Sequence, residues 1–351
     1  NTLAQFAGYL NWRDFKNDST NRKQSWVQRK INPNLGIIIT SASLMTLVFV
    51  SFYSMVTTNG SSLDTIDLSK ITFSSRPISQ GIPNSVVFDF DIEELKSDSI
   101  YIQQFWDPTK TIKIKRNQNQ ATGIYYFPGY FRAKLLVDGK SIKEHDLFIK
   151  SEHWLATLDY RPVPKYLKGS SLLNGNLSLP TNIIEEVKSN ESPLVSSFHF
   201  IKDFGDISGD NFTLKTTVRN VYNEKWAVCQ SIRIVILGTK GAMVIPFSIS
   251  GCVSDIRLLM NDVSLSGKEH DLSAFGADFS TFRNVDIHIR DKNVAVAIDG
   301  IEIYSGGYNA SMGELVGIRY RFLGAGEVAN LWIRDELKKK VVMDDDFNPK
   351  K

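Results

Sequence analysis

The sequence predicts a mainly β chain, with one transmembrane helix followed by two β-sandwiches. Three observations predict it. From Leu35 to Val56 there are 22 residues without a charge. From Ile71 onward the helical period gives way to short alternating or β-branched runs bounded by Gly, Asn, Asp and Pro. About 290 residues follow the apolar run, too many for one small domain and comfortable for two.

The apolar run is the first element. As a helix it would be about 33 Å long, against a hydrocarbon core of about 30 Å. A cleaved signal peptide would be shorter and nearer the start of the chain, and a buried core helix would show an amphipathic period or a charge. Arg13, Lys16, Arg22, Lys23, Arg29 and Lys30 precede the run, and no Lys or Arg follows it until Lys70. The positive-inside rule therefore places residues 1–34 in the cytoplasm and 58–351 outside. Gly36, Thr40, Ser43, Ser51 and Ser54 nearly share one helical stripe, which suits self-association, or Ser and Thr bonding back to their own helix.

Charge follows the same division. The chain carries a formal net charge of +3. Residues 1–57 hold six basic and two acidic side chains, and the remainder holds 35 basic and 36 acidic. The large region is thus not expected to bind nucleic acid. The basic juxtamembrane cluster is a topology signal that could also meet anionic lipid.

The outer region divides into two β-rich blocks. In the first, "SVVFDFDI" sets Val86, Phe88, Phe90 and Ile92 against Val87, Asp89 and Asp91, apolar on one face and mostly acidic on the other. Pro128–Gly129 is a turn signal and Asp138–Gly139 a hairpin signal. Several short strands within eighty residues predict an immunoglobulin-like sandwich. In the second, "DNFTLKTTVRNV" alternates with Phe212, Leu214, Thr216 and Val218 on one face. "CQSIRIVILGTKGAMVIPFSISGC" reads as a hairpin with Ile232, Ile234 and Ile236 facing Ile249, Phe247 and Ile245. That register sets Cys229 opposite Cys252, a disulfide candidate for an exported domain. A shift of two residues would part them while keeping every face. "IIEEVKSNE" is the one short helical exception. The expected divisions are a cytoplasmic helical piece (1–34), the membrane helix (35–57), a linker (58–68), the first sandwich (69–150), an ordered connector (151–174), the second sandwich (175–338) and a charged tail (339–351).

Three family resemblances sit on these residues. "NTLAQFAGYLNWRDFKN" resembles the tail of a small cytoplasmic helical domain found ahead of membrane helices in Bacteroidetes-type proteins. "G-I-P-N-S-V-V-F" and Tyr125-Tyr-Phe-Pro128-Gly129-Tyr130-Phe131 resemble the opening strand and the Tyr-x-x-Pro-Gly corner of PKD domains. The Trp-x-Phe-Gly-Asp-Gly segment of that family is degraded here to Phe105-Trp106-Asp107-Pro108. The resemblance implies a spacer or interaction module. Asp291–Gly300 and Gly324–Asp335 resemble the middle hairpin and closing strands of concanavalin A-like, laminin-G-like jelly-roll sandwiches. That resemblance implies a head that binds a glycan or a protein, and in some members calcium.

No catalytic constellation is visible. The Glu-x-Asp-x-Glu strand of concanavalin-like glycoside hydrolases is absent. Asp344-Asp-Asp346 reads as a solvated tail, and Glu185–Glu186 as helix surface. His145, His153, His199, His270 and His288 share no metal spacing, and His288 alternates with Ile287 and Ile289 on a strand that turns it to solvent. Asp203, Asp206 and Asp210 cluster in a loop without EF-hand spacing. Trp226, Tyr304 and Tyr308 are the aromatics near strand ends that could stack on a sugar, or simply pack. The expectation is a membrane-anchored, non-enzymatic binding protein with glycan or protein ligands. The alternatives are a structural envelope protein with protein contacts only, and a glycan-processing enzyme.

Overall fold

In the computed structural model, residues 67–173, 175–222 and 225–348 are described, and they fall in one compact unit, Ile66–Lys351. The expected membrane helix at 35–57, its small-residue stripe and the helical piece before it lie outside the described residues. Among the described residues no helix is long and apolar enough to cross a membrane.

The first β-rich block is a two-sheet structure. Strands β1 (Thr72–Pro77), β2 (Asn84–Asp91) and β5 (Gln120–Tyr125) form one sheet in the order β1-β2-β5. Strands β3 (Ile100–Gln103), β4 (Thr111–Ile114), β6 (Gly129–Val137) and β7 (Lys140–Ile149) form the other in the order β4-β3-β6-β7. Alternation does what it predicts in β2: Val86, Phe88 and Phe90 are buried, and Asp91 is exposed. The sheets meet through rings, with Tyr125 of β5 4.8 Å from Phe131 of β6. The Tyr125 hydroxyl donates to the Gln104 carbonyl (2.7 Å), so this buried phenol is satisfied. At the β6–β7 turn Asp138 and Gly139 both take positive φ, as a two-residue hairpin of the predicted kind requires.

The larger part is two sheets around one core. The eight-stranded sheet runs β15-β14-β13-β12-β19-β10-β8-β9. Its strands are β8 (Leu155–Leu158), β9 (Lys165–Lys168), β10 (Val195–Ile201), β12 (Ile232–Gly238), β13 (Ala242–Phe247), β14 (Arg257–Met260), β15 (Val263–Ser266) and β19 (Leu315–Leu323). The six-stranded sheet runs β18-β17-β16-β11-β20-β21. It uses β11 (Phe212–Asn220), β16 (Arg283–Arg290), β17 (Asn293–Ile298), β18 (Ile301–Gly307), β20 (Gly326–Asp335) and β21 (Lys340–Asp345). Phe212, Leu214 and Val218 of β11 and Ile287 of β16 share a core with Ile232, Ile234 and Phe322 of the opposite sheet. Thr216, buried among them, bonds the Tyr320 hydroxyl across the sandwich at 2.8 Å. The helical exception is α1 (Thr181–Ser189): Ile183 and Val187, four residues apart, are its buried face.

Three expectations change here. The ordered connector at 151–174 is also part of the large sandwich: β8 and β9 extend the eight-stranded sheet, because Leu155, Ala156 and Leu158 are apolar enough to be buried. The charged tail is likewise structural. Lys340–Asp345 pairs with β20, and Phe347 beyond it is 1% exposed and 5.5 Å from Trp154. One buried aromatic outweighs the charges around it, since those charges stay at the surface while the ring leaves water. The β12–β13 register is the alternative that shifts by two residues, with Ile232 opposite Phe247, Ile234 opposite Ile245 and Ile236 opposite Met243. Cys229 and Cys252 are nonetheless bonded. The chain leaves the ladder after Phe247, and the 3₁₀ turn Ser250–Asp255 carries Cys252 back to Cys229.

The two parts of the unit meet over a polar seam on the outer side of the eight-stranded sheet. Arg319 Nε donates to His199 Nδ1 (2.8 Å), and its terminal nitrogen donates to the Pro128 carbonyl (2.8 Å). Phe127 lies 6.0 Å from the His199 ring. Tyr166 of β9 donates to the Tyr126 carbonyl at 2.9 Å.

Candidate functional site

The outer face of the six-stranded sheet is built by the residues that alternate with the core. Antiparallel register sets them in three rungs across β16, β11 and β20. His288, Thr213 and Arg334 form one rung; Asp286, Lys215 and Trp332 the next; Asn284, Thr217 and Asn330 the third. Beside them β17 presents Ala295 and Ala297, opposite His288 and Asp286. Two alanines in the row beside long polar side chains leave a depression. Two clefts result, about 550 and 490 Å³, both lined by Lys215 and Trp332. They make one groove along the middle strands.

Hydrogen bonding orders donors and acceptors in the first cleft. Thr213 Oγ1 lies 2.8 Å from Glu336 Oε1 and 3.1 Å from His288 Nδ1. Glu336 is held below the usual carboxylate range by hydrogen bonds from Lys339 and Thr213, with Lys339 and Arg334 adding attraction. An ionised carboxylate only accepts, so the single Thr213 proton goes to Glu336. Thr213 must then accept from His288 Nδ1–H, so in the neutral imidazole the lone pair is on Nε2. A carboxylate, a hydroxyl and an imidazole are thus in series. Arg334 and Arg290 stand 3.8 and 3.9 Å from the Glu336 carboxylate, and Arg334 Nε is buried without a hydrogen-bond partner.

The second cleft is neutral to acidic. Thr217 donates to Asn284 (2.8 Å), and Asn330 donates to Thr217 (2.9 Å). Asp299 is held below its ordinary value by Arg283, at 2.8 Å. Asp299 and Gly300 both take positive φ and form the tight turn that the sequence marked. Lys215 lies 3.9 Å from Asp286 and 6.0 Å from the Trp332 ring centroid.

The aromatics singled out from sequence lie elsewhere. Trp226 stacks on Tyr222 at 4.9 Å and donates to the Asn190 carbonyl. Tyr304 packs against Phe275 at 5.9 Å. Tyr308, buried, donates to Asp210 at 2.7 Å. Ser311 and the Met312 amide also bond Asp210, and Asp203 accepts from the Gly205 amide; these acids tie loops together. Among the described residues no group of three His, Cys, Asp or Glu is arranged to hold a metal ion. Of the five histidines, His288 is in the groove and His199 in the seam. Sequence reading passed over Trp332, Lys215, Thr213, Arg334 and Glu336. The available signal was the polar alternation of β11, β16 and β20, which becomes a site only when the three strands are adjacent.

No family model and no curated protein matches the chain, so the PKD resemblance rests on the residues quoted for it. Solved structures similar to it include alginate lyases and a carbohydrate-binding module. One is the alginate lyase from Corynebacterium sp., at 13% identity and TM-score 0.31, covering 50% of this chain and 90% of that one. Another is the carbohydrate-binding module CBM66 from Bacillus subtilis, at 9% identity and TM-score 0.27, covering 44% and 92%. A third is a glycosyl hydrolase described as putative, from Parabacteroides distasonis ATCC 8503, at 11% identity and TM-score 0.26, covering 42% and 88%. The expectation of a non-enzymatic chain is corrected by this set, which includes alginate lyases. A search for carboxylate runs and metal spacings does not see an imidazole set beside Thr213 of β11 and Glu336 of the turn after β20.

Proposed function

We propose that the outer face of the six-stranded sheet binds a polysaccharide chain containing an acidic sugar and cleaves it by β-elimination. The observation that carries this is His288, its Nδ1–H committed to Thr213 and Glu336, in the same cleft as Arg290 and Arg334. Trp332 offers a ring for stacking a sugar, and the arginines offer charge to a carboxylate. His288 Nε2 takes the proton from the carbon next to that carboxylate, whose negative charge the guanidiniums offset. The electron pair forms a carbon–carbon double bond as the bond from the neighbouring carbon to the glycosidic oxygen breaks. The departing oxygen takes a proton from solvent, and His288 returns its own to solvent. The reading extends to the whole chain as an anchored protein, with residues 58–351 outside an inner membrane, on the charge asymmetry around residues 35–57.

The test is ultraviolet absorbance of the new conjugated double bond when the protein is incubated with acidic polysaccharides. His288→Gln is expected to abolish the signal while keeping glycan binding, and Trp332→Ala to weaken binding. Full turnover by His288→Gln, or no unsaturated product from any acidic glycan, would refute the proposal.

A further inference from the structure

The two clefts of the groove differ in charge, and this points to the kind of polymer it accepts. The first holds Arg290 and Arg334 with one carboxylate, Glu336, between them. Glu336 already receives Lys339 at 2.8 Å and Thr213, so the two arginines reach it only at 3.8–3.9 Å. The Arg290 side chain is 73% exposed and that of Arg334 38%. Guanidiniums held this loosely can pair with an incoming carboxylate. The second cleft carries no such excess of cations: Arg283 is engaged with Asp299 at 2.8 Å, and Lys215 faces Asp286 at 3.9 Å. Among the described residues lining it, Lys215 is the only cation, and Asp286 and Asp299 are both present. Its other polar groups are Thr217, Asn284 and Asn330, side chains that exchange hydrogen bonds with hydroxyls and amides.

Resting on the reading of this face as a glycan groove, we infer that it accepts an acidic sugar joined to a neutral one. The uronate sits in the Arg290/Arg334 cleft, and a neutral, hydroxyl- or amide-bearing sugar sits in the Asn284/Asn330 cleft. A polymer with a carboxylate on every residue would bring its second carboxylate against Asp286 and Asp299, with Lys215 alone, already 3.9 Å from Asp286, to receive it. Like charges so placed repel, and the groups are exposed enough for the effect to weaken with salt.

The experiment uses the full chain and three hexasaccharides in calorimetric titrations at low salt. One alternates glucuronate with N-acetylglucosamine, one is an oligoalginate with a uronate at every position, and one is an uncharged cello-oligosaccharide. The alternating probe is expected to bind at least tenfold tighter than either of the others. Arg334→Gln should bring it down to the level of the uncharged probe. The double substitution Asp286→Asn, Asp299→Asn should bring the oligoalginate up toward it. Oligoalginate binding as tightly as the alternating probe would overturn this inference and leave the groove reading intact, provided Trp332→Ala weakens that binding. No binding of any probe, or binding indifferent to Trp332→Ala, would remove the groove reading and this inference with it. Thermal melts of each variant separate lost binding from lost folding.

Discussion

Acidification should loosen the seam, and the structure sets the size of the effect. His199 is fully buried. Its Nδ1 accepts from Arg319 Nε at 2.8 Å, so Nε2 carries the proton and donates to Thr157 Oγ1 at 2.9 Å. A proton on Nδ1 would face a guanidinium proton and bring a second positive charge to Arg319. Burial first, then Arg319 and Arg321, hold this imidazole well below its ordinary value of 6.5. The folded state therefore keeps His199 neutral where the unfolded chain protonates it. Its stabilising contribution is complete above 6.5 and falls as pH drops through that value toward the folded pKa. Between pH 7 and 5.5 the loss is about 1 kcal/mol. Asp159, raised by burial against the pull of Arg321 and Arg319, acts with the opposite sign. It favours the folded state as pH falls through its own raised value toward 3.8. The assay is urea unfolding of the wild type and of His199→Gln at several pH values. Glutamine keeps an acceptor and a donor but does not titrate. The difference between the two should grow by about 1 kcal/mol over that interval. Parallel pH profiles would refute the reasoning.

Other consequences follow from particular contacts. Replacing Cys229 and Cys252 with Ser frees a loop of sequence separation 23 and should cost about 3 kcal/mol in denaturant unfolding, on the chain-entropy account; an unchanged midpoint would contradict it. Phe347→Ala empties a fully buried site against Trp154 and should cost about 3–5 kcal/mol. A neutral result there would return the last residues to the status of a tail. Thr213→Val removes the hydroxyl between His288 and Glu336. It should slow proton abstraction roughly 10–100-fold, short of the roughly 10²–10⁴-fold expected for loss of the base itself, with glycan affinity largely kept. Unaltered turnover would show that the relay does not act.

The groove teaches why a site can be spelled in a sequence and still be missed. His288 was legible as a solvent-facing residue because Ile287 and Ile289 flank it, and period two turns it outward. Nothing local says that Thr213, 75 residues earlier, lies opposite it, or that Glu336, 123 residues after Thr213, closes the series. Aromatic content is ambiguous for a related reason. Trp226 and Tyr304 near strand ends look like stacking surfaces, yet they pack at the rim of the core, and Trp332 inside a strand lines the groove.

The sequence by itself determined what local chemistry and periodicity decide. It determined the mainly β class, the acidic or polar outer faces, the Asp–Gly hairpins at 138–139 and 299–300, and the short helix at 181–189, because each depends on a few neighbouring residues. Tertiary structure decided the order of strands, the entry of β8, β9 and β21 into the large sheets, and the hairpin register. It also decided the assembly of His288, Thr213 and Glu336. These depend on which strands become neighbours. That choice belongs to the burial of the whole core, since a shift of two residues or an exchange of edge strands leaves every local pattern unchanged.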